Sequence, residues 1–437
     1  MSFKQKLQRH PLIHTLQTLE RNPKLCVLTE PLFTIPYYLL QPFITLYMMK
    51  LGLTEQLIGV LLTVGMVVQV AAALVGGVLT DKLGRRFTTF VFDVLSWVVP
   101  SFIWAFAQNF WWFLAGSVIN ALFQIPTISW GLLLAEDTEK TKLVNINSWI
   151  QITGMLAVFF APITAFALGK YDLVSLTRVL YVIFGTSLAV KGVLLYLLSR
   201  ETRQGEIRMR ETKGVPFTRM LTEYWGVFKT ILSSRSTLLV LAFLALTNVW
   251  NLAIGTFFSP YATNNLQVPE QWVPIFPMVR SALMLVVMFC LQGRFNRLPL
   301  RAVLTAGLCI YLASHLLLVL APAKNLAMLF GYVLLEGLAF SMVQPRKDSM
   351  LIWFVDEKQR ARINALLYVA VIAVSSPFGA VIGWLSGIDQ RLPFVLNILL
   401  FLVGILLVAR SRTLREHEQE QIGDKNGLEE KGAAQPG

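Results

Sequence analysis

Among the charged side chains inside long apolar runs of this chain are Asp93, Lys191, Arg280 and Glu336. A charge at the centre of a membrane-spanning helix costs roughly 2.5–3.5 kcal/mol on insertion scales, so each needs a partner or a task. At 1.5 Å of rise per residue, Arg280 lies about 11 Å and Glu336 about 15 Å below the outer ends of their runs, which is mid-membrane for both. Asp93 and Lys191 lie roughly 8 and 12 Å from the opposite ends of theirs. Chemistry open to such groups is charge pairing, proton binding and recognition of a charged solute.

Covalent chemistry finds no constellation. The four histidines, His10, His14, His315 and His417, are scattered. Only His315 falls in an apolar run, where packing is the expected role rather than a proton relay. Cys26, Cys290 and Cys309, an odd number at no ligand spacing, read as small buried residues. With no nucleotide-binding glycine loop and no metal-ligand spacing, neither an enzyme nor a cofactor is expected. Work done by the protein must draw on an ion or substrate gradient.

The elements that position these charges are membrane helices. Hydrophobic residues make up 55% of the chain and charged residues 14%, far from the soluble balance. Hydropathy gives twelve spans, six within 25–198 and six within 237–410, so both termini fall on one side. Of the 38 Lys and Arg, five (Lys50, Lys170, Arg178, Lys324, Arg391) fall on one side and two (Lys191, Arg280) within spans, and the rest on the other side. That asymmetry marks the richer side as cytoplasmic and explains the net charge of +13 without nucleic acid. The basic arm 1–24 is too polar for a cleavable signal peptide.

Between the second and third apolar runs stands Gly77 to Arg86, GVLTDKLGRR. Gly77 permits close helix approach, and Gly84 permits a turn that a side chain would hinder. Asp81 is an anion suited to a helix N-terminus, and Arg85 and Arg86 hold the hairpin in the cytoplasm. Gly77, Leu79, Asp81, Lys82, Gly84, Arg85 and Arg86 satisfy every defined position of G-x-L-x-D-[RK]-x-G-R-R, so the hairpin resembles the signature loop of the major facilitator superfamily.

The resemblance implies an all-α membrane protein of twelve helices in two pseudo-symmetric six-helix bundles, of the kind found in bacterial secondary transporters. Internal repetition agrees. Glu55-Gln56 recurs as Glu270-Gln271, Gly116 as Gly331 and Pro162 as Pro377, at an offset of about 215 residues. At the same offset Asp81 meets Asn296, so only the first loop keeps the acid. Resemblance further implies that helices 1, 4, 7 and 10 line the central cavity, that helix 8 flanks it, and that helices 3 and 6 are adjacent and peripheral. Asp93 and Lys191 are therefore expected to form a structural pair. Arg280 and Glu336, at cavity depth, are expected to handle substrate or protons, with a structural pair as the alternative, because burying an ion pair adds little stability. The other cavity candidates are Glu30, Tyr37, Tyr38 and Gln41 among the prolines of helix 1, Asn120, Gln124 and Trp130 of helix 4, and Asn248, Trp250 and Asn251 of helix 7.

Departures narrow the subfamily. Helix 4 lacks the arginine of proton-coupled drug exporters, and Pro162 follows Ala161 rather than glycine. Between the bundles, 199–236 carries an amphipathic stretch from Phe217 to Leu232 expected to lie on the inner membrane surface, and 411–437 reads as a disordered tail. The function expected is a monomeric, proton-coupled transporter of a small solute in the cytoplasmic membrane, working by alternating access. Asp81 is expected to meet the eleventh helix near Arg362–Asn364 as a conformational latch. A lipid flippase of the same fold is the alternative, with a non-transporting sensor behind it.

Overall fold

The computed structural model describes residues 11–217, 234–296, 298–353 and 360–415. The amphipathic stretch after 217, the tail beyond 415 and the side chains of Arg362 and Asn364 lie outside what is described. Among the described residues, twelve helices are long and apolar enough to cross a membrane: α1 (Arg21–Lys50), α2 (Glu55–Leu83), α3 (Arg85–Ala105), α4 (Phe110–Ala135), α5 (Asn145–Leu168), α6 (Leu173–Leu198), α7 (Arg235–Asn265), α8 (Glu270–Cys290), α9 (Leu300–Val319), α10 (Leu326–Leu351), α11 (Leu366–Ile388) and α12 (Leu392–Arg410). A shorter linker helix, Arg203–Glu211, follows α6. The end at which α2 turns into α3 is called the loop side, and the opposite end the far side.

Sequence chemistry sets the helix boundaries. Thr54, Asn109, Asp172 and Thr202 each accept a backbone N–H of the first turn at the starts of α2, α4, α6 and the linker helix. Prolines inside spans strip carbonyls of their partners, and neighbouring side chains replace them. Pro36 cannot donate to the Leu32 carbonyl, which instead accepts Ser187 Oγ of α6 at 2.7 Å. Pro100 cannot donate to the Ser96 carbonyl, which accepts Asn120 Nδ2 of α4 at 2.8 Å. Just before Pro100, α3 widens into a π-turn over Val94–Val98, immediately after Asp93.

Contacts divide the chain into two compact units. Unit 1 contains the described residues through 217, Thr256–Met278 and Ile372–Gln390; unit 2 contains the described residues of 234–255, Val279–Val371 and those from Arg391 onward. Within unit 1, α2 and the part of α11 from Ile372 to Ile388 touch backbone to backbone on the far side. A Cβ built on Gly59 would lie 2.6 Å from the Gly379 carbonyl oxygen and 2.8 Å from Gly383 Cα. Thr63 completes the contact, donating to the Ser376 carbonyl and accepting the Ala380 N–H, both at 2.8 Å. Gln390 donates to Glu55 at the same end, and Lys50 pairs with Glu270 at 3.1 Å.

Gly383→Val is expected to force these backbones apart, since the atoms it meets are Glu55 O and Gly59 Cα at 2.6 Å and neither can rotate away. Overpacking of this kind costs about 1–3 kcal/mol. A thermal-unfolding midpoint equal to that of the parent would show that the contact is looser than described.

Unit 2 is centred on Trp250, Tyr311 and Phe401, each 1% exposed or less, with ring centroids 5.0–5.5 Å apart. His315 is buried beside them. Its Nδ1 lies 3.1 Å from the Tyr311 carbonyl and its Nε2 3.3 Å from Asn397 Nδ2. A carbonyl only accepts, and the amide nitrogen only donates, so one neutral tautomer satisfies both bonds. The packing role expected of His315 fits this geometry.

Candidate functional site

In unit 1 the sequence pairing is corrected. Lys191 reaches Glu30 of α1 rather than Asp93, with Nζ 2.9 Å from Oε2 and both side chains 10% exposed. Depth along the spans alone groups Glu30 with a polar cavity face and Asp93 with Lys191. α1 packs against α6 through its proline-broken segment, which brings the carboxylate one helix nearer. The Lys191 ammonium also lies 5.2 Å from the Phe33 ring centre and 5.6 Å from that of Trp130. Asp93 faces the same place, a pocket of about 200 Å³ lined by Glu30, Phe33, Asp93, Trp97, Trp130 and Lys191, among others.

Other candidates separate by the face they occupy. Tyr37 stacks on Phe33 with centroids 5.6 Å apart and meets Tyr38 edge-on at 5.4 Å. Gln41 opens the 3₁₀ turn Gln41–Phe43, and Gln124 is buried at 2% exposure. Asn120 is committed to the carbonyl beside Pro100. Asn248 and Asn251 are half-buried, three residues apart on one face of α7. Trp250 points the other way, into the core of unit 2, so it is a packing group and not a cavity wall.

Within unit 2, Arg280 and Glu336 do pair. Arg280 Nη2 donates to Glu336 Oε1 at 2.8 Å, and the guanidinium lies 4.5 Å from the centre of the Phe340 ring. Glu336 and Phe340 are one turn apart on α10, so both face α8. Gly337 between them packs on α8, where a Cβ would meet Arg280 Cγ in ordinary contact at 3.4 Å. Glu336 is 3% exposed and Arg280 30%, so the pair is reachable from the arginine side.

On the loop side the hairpin is clamped. Gly84 has φ +86°, a conformation that favours glycine, and a Cβ on it would push against the Glu201 carboxylate at 2.6 Å. Glu201 accepts the first two N–H groups of α3, from Arg85 at 2.8 Å and Arg86 at 3.0 Å, as an anion at a helix N-terminus. Arg85 grips Glu136, the residue that follows α4, with both edges of its fork, Nε at 3.0 Å and Nη2 at 2.9 Å, and pairs with Asp81 at 3.1 Å. Asp81 takes a second cation, Arg208 of the linker helix, at 3.1 Å. Lys82 donates to the Val215 carbonyl at 2.6 Å, and Arg86 to that of Tyr196 at 2.7 Å. Glu136, Glu201 and Arg208 were not singled out in the sequence. Their signal is thin: an acid just past an apolar run, and a linker rich in both charges.

Twelve spanning helices, ion pairs held within them and a charged clamp at the turn between two of them define a multi-pass membrane transporter. The chain belongs to the major facilitator superfamily, whose sequence model, described as Major Facilitator Superfamily, matches residues 32–298. It is thus a transporter of small solutes. No curated protein matches the chain by sequence. Solved structures agree on the fold. A mutant of the nucleoside transporter NupG superposes with a TM-score of 0.70 at 12% identity, covering 89% of this chain and 98% of that one. A mutant peptide transporter POT in complex with alafosfalin gives 0.67 at 14%, covering 95% and 99%. The human organic anion transporter MFSD10 gives 0.58 at 14%, covering 89% and 99%.

Proposed function

We propose that the protein moves a small solute across the cytoplasmic membrane by alternating access, coupled to protons at Glu336. The observation that carries this reading is a carboxylate 3% exposed in mid-span, held by one arginine that is itself reachable. A proton from the medium that binds Glu336 removes the charge holding Arg280. The guanidinium is then free to take an anionic group of a solute, and loss of the proton restores the pair. Nucleosides, peptides and organic anions named for the similar structures carry polar or anionic groups that would suit such an arginine, but identities of 12–14% leave the choice open to measurement.

A flux screen in proteoliposomes, with and without an imposed pH gradient, tests the reading. Glu336→Gln is expected to retain exchange of bound solute and to lose acceleration by the gradient. Unchanged rate and unchanged pH dependence would remove Glu336 from coupling.

The loop side is the cytoplasmic side in this reading, because its arginines oppose translocation. Asp81 then serves as the latch, held by Arg85 and Arg208 in one state and released in another. Asp81→Asn is expected to cut transport per folded molecule several-fold while expression changes little. Equal transport per molecule would exclude the latch.

A further inference from the structure

The pocket in unit 1 holds two carboxylates and one ammonium, a net charge of −1 when all are ionised. Its ammonium is already spent. Lys191 is engaged by Glu30 at 2.9 Å and lies near two aromatic rings. Asp93 has neither a hydrogen bond nor an ion pair among the described residues, although it lines the pocket. The indole Nε1 of Trp130, a second lining residue, is buried and without a hydrogen-bond partner. The π-turn at Val94–Val98 carries Trp97 to the same wall as Asp93, and widened turns of this kind recur at functional sites.

We propose that this pocket binds a monovalent organic ammonium ion, its charge at Asp93 and its apolar body against Phe33, Trp97 and Trp130. Charge sets the sign of the ligand. An anion would meet Glu30 and Asp93 with no free cation to receive it, whereas a cation completes the balance. The walls set its character: ring faces attract ammonium groups, and Pro126 and Leu188 add apolar surface. A volume of about 200 Å³ asks for an organic body rather than a bare ion. The inference extends the transport reading, and rests on it only for the step that makes the bound cation cargo.

Full-length protein in lipid nanodiscs is titrated with benzyltrimethylammonium and with phenylacetate, followed by tryptophan fluorescence and calorimetry. The cation is expected to bind saturably, and phenylacetate at least about tenfold more weakly. Asp93→Asn is expected to weaken the cation by about tenfold or more, and Asp93→Glu to keep it within about threefold. Trp97→Leu supplies a second variant, expected to weaken the cation without touching any carboxylate, should Asp93→Asn fail to fold. Equal affinity of cation and anion, or cation binding indifferent to both Asp93→Asn and Trp97→Leu, overturns the site. Flux separates the two readings. Gradient-driven flux of another solute by protein that shows no saturable cation binding would sink the pocket proposal alone, while Asp93-dependent binding without flux of any solute would sink the transport reading and leave the site.

Discussion

Replacing Lys191 by methionine is expected to destabilise the protein by about 3–5 kcal/mol, because removing one partner of a buried pair leaves the other charge uncompensated. Here two carboxylates are stranded. Glu30 loses its partner at 2.9 Å, and Asp93 loses the only positive charge lining its pocket. The neutral double variant Glu30→Gln/Lys191→Met should recover most of the loss, since a well-packed neutral pair often matches a buried ion pair. Asp93→Asn alone should cost little, having no partner to break, and in the Lys191→Met background it should be stabilising. Thermal unfolding of the parent and these four variants in one detergent reads all of this, with the parent, Lys191→Met, Asp93→Asn and their double variant forming a cycle. A Lys191→Met midpoint at the parent value would mean that Glu30 and Asp93 are hydrated, and that the pocket is an open vestibule.

The reason the sequence misplaced Lys191 is geometric. Hydropathy and rise per residue give depth within a span, and depth was enough to put Arg280 opposite Glu336. Depth says nothing of azimuth. Glu30, Asp93 and Lys191 share a level, and which carboxylate meets the ammonium depends on the packing of α1 on α6, which Pro36 alters by freeing the Leu32 carbonyl for Ser187. Azimuth also decided helix 7. Asn248 and Asn251 fall on one face and Trp250 on another, a distinction that the 3.6-residue period contains but that needs a known core to orient it.

The family was legible for a different reason. Gly84, Asp81 and Arg85 act within a few residues of one another, so their spacing survives in the sequence as a motif. Their partners do not. Glu136 follows α4, and Glu201 and Arg208 come from the linker after α6, and the motif's charges close only when those segments fold onto it. Asn120 is the converse case. Polar and in a span, it reads as a solute contact, yet its amide serves a backbone carbonyl released by a proline one helix away.

Arg85 carries the second large effect, and its test separates charge from shape. The side chain is 3% exposed and makes a two-edged bond to Glu136 as well as a bridge to Asp81. Arg85→Met strands Glu136, whose other described partner is the Thr202 hydroxyl, while Asp81 keeps Arg208. The expected cost is about 3–5 kcal/mol, borne mostly at Glu136. Arg85→Lys restores the charge but has no planar fork, so it should recover only part of that loss. Arg85→Met/Glu136→Leu should recover more than Arg85→Lys if stranded charge dominates, and less if the fork's geometry is what holds α3 to α4. Unfolding midpoints decide between these, with transport per folded molecule measured alongside. If Arg85→Lys matches the parent in both, the clamp is a matter of charge alone, and any cation at this position would hold the hairpin.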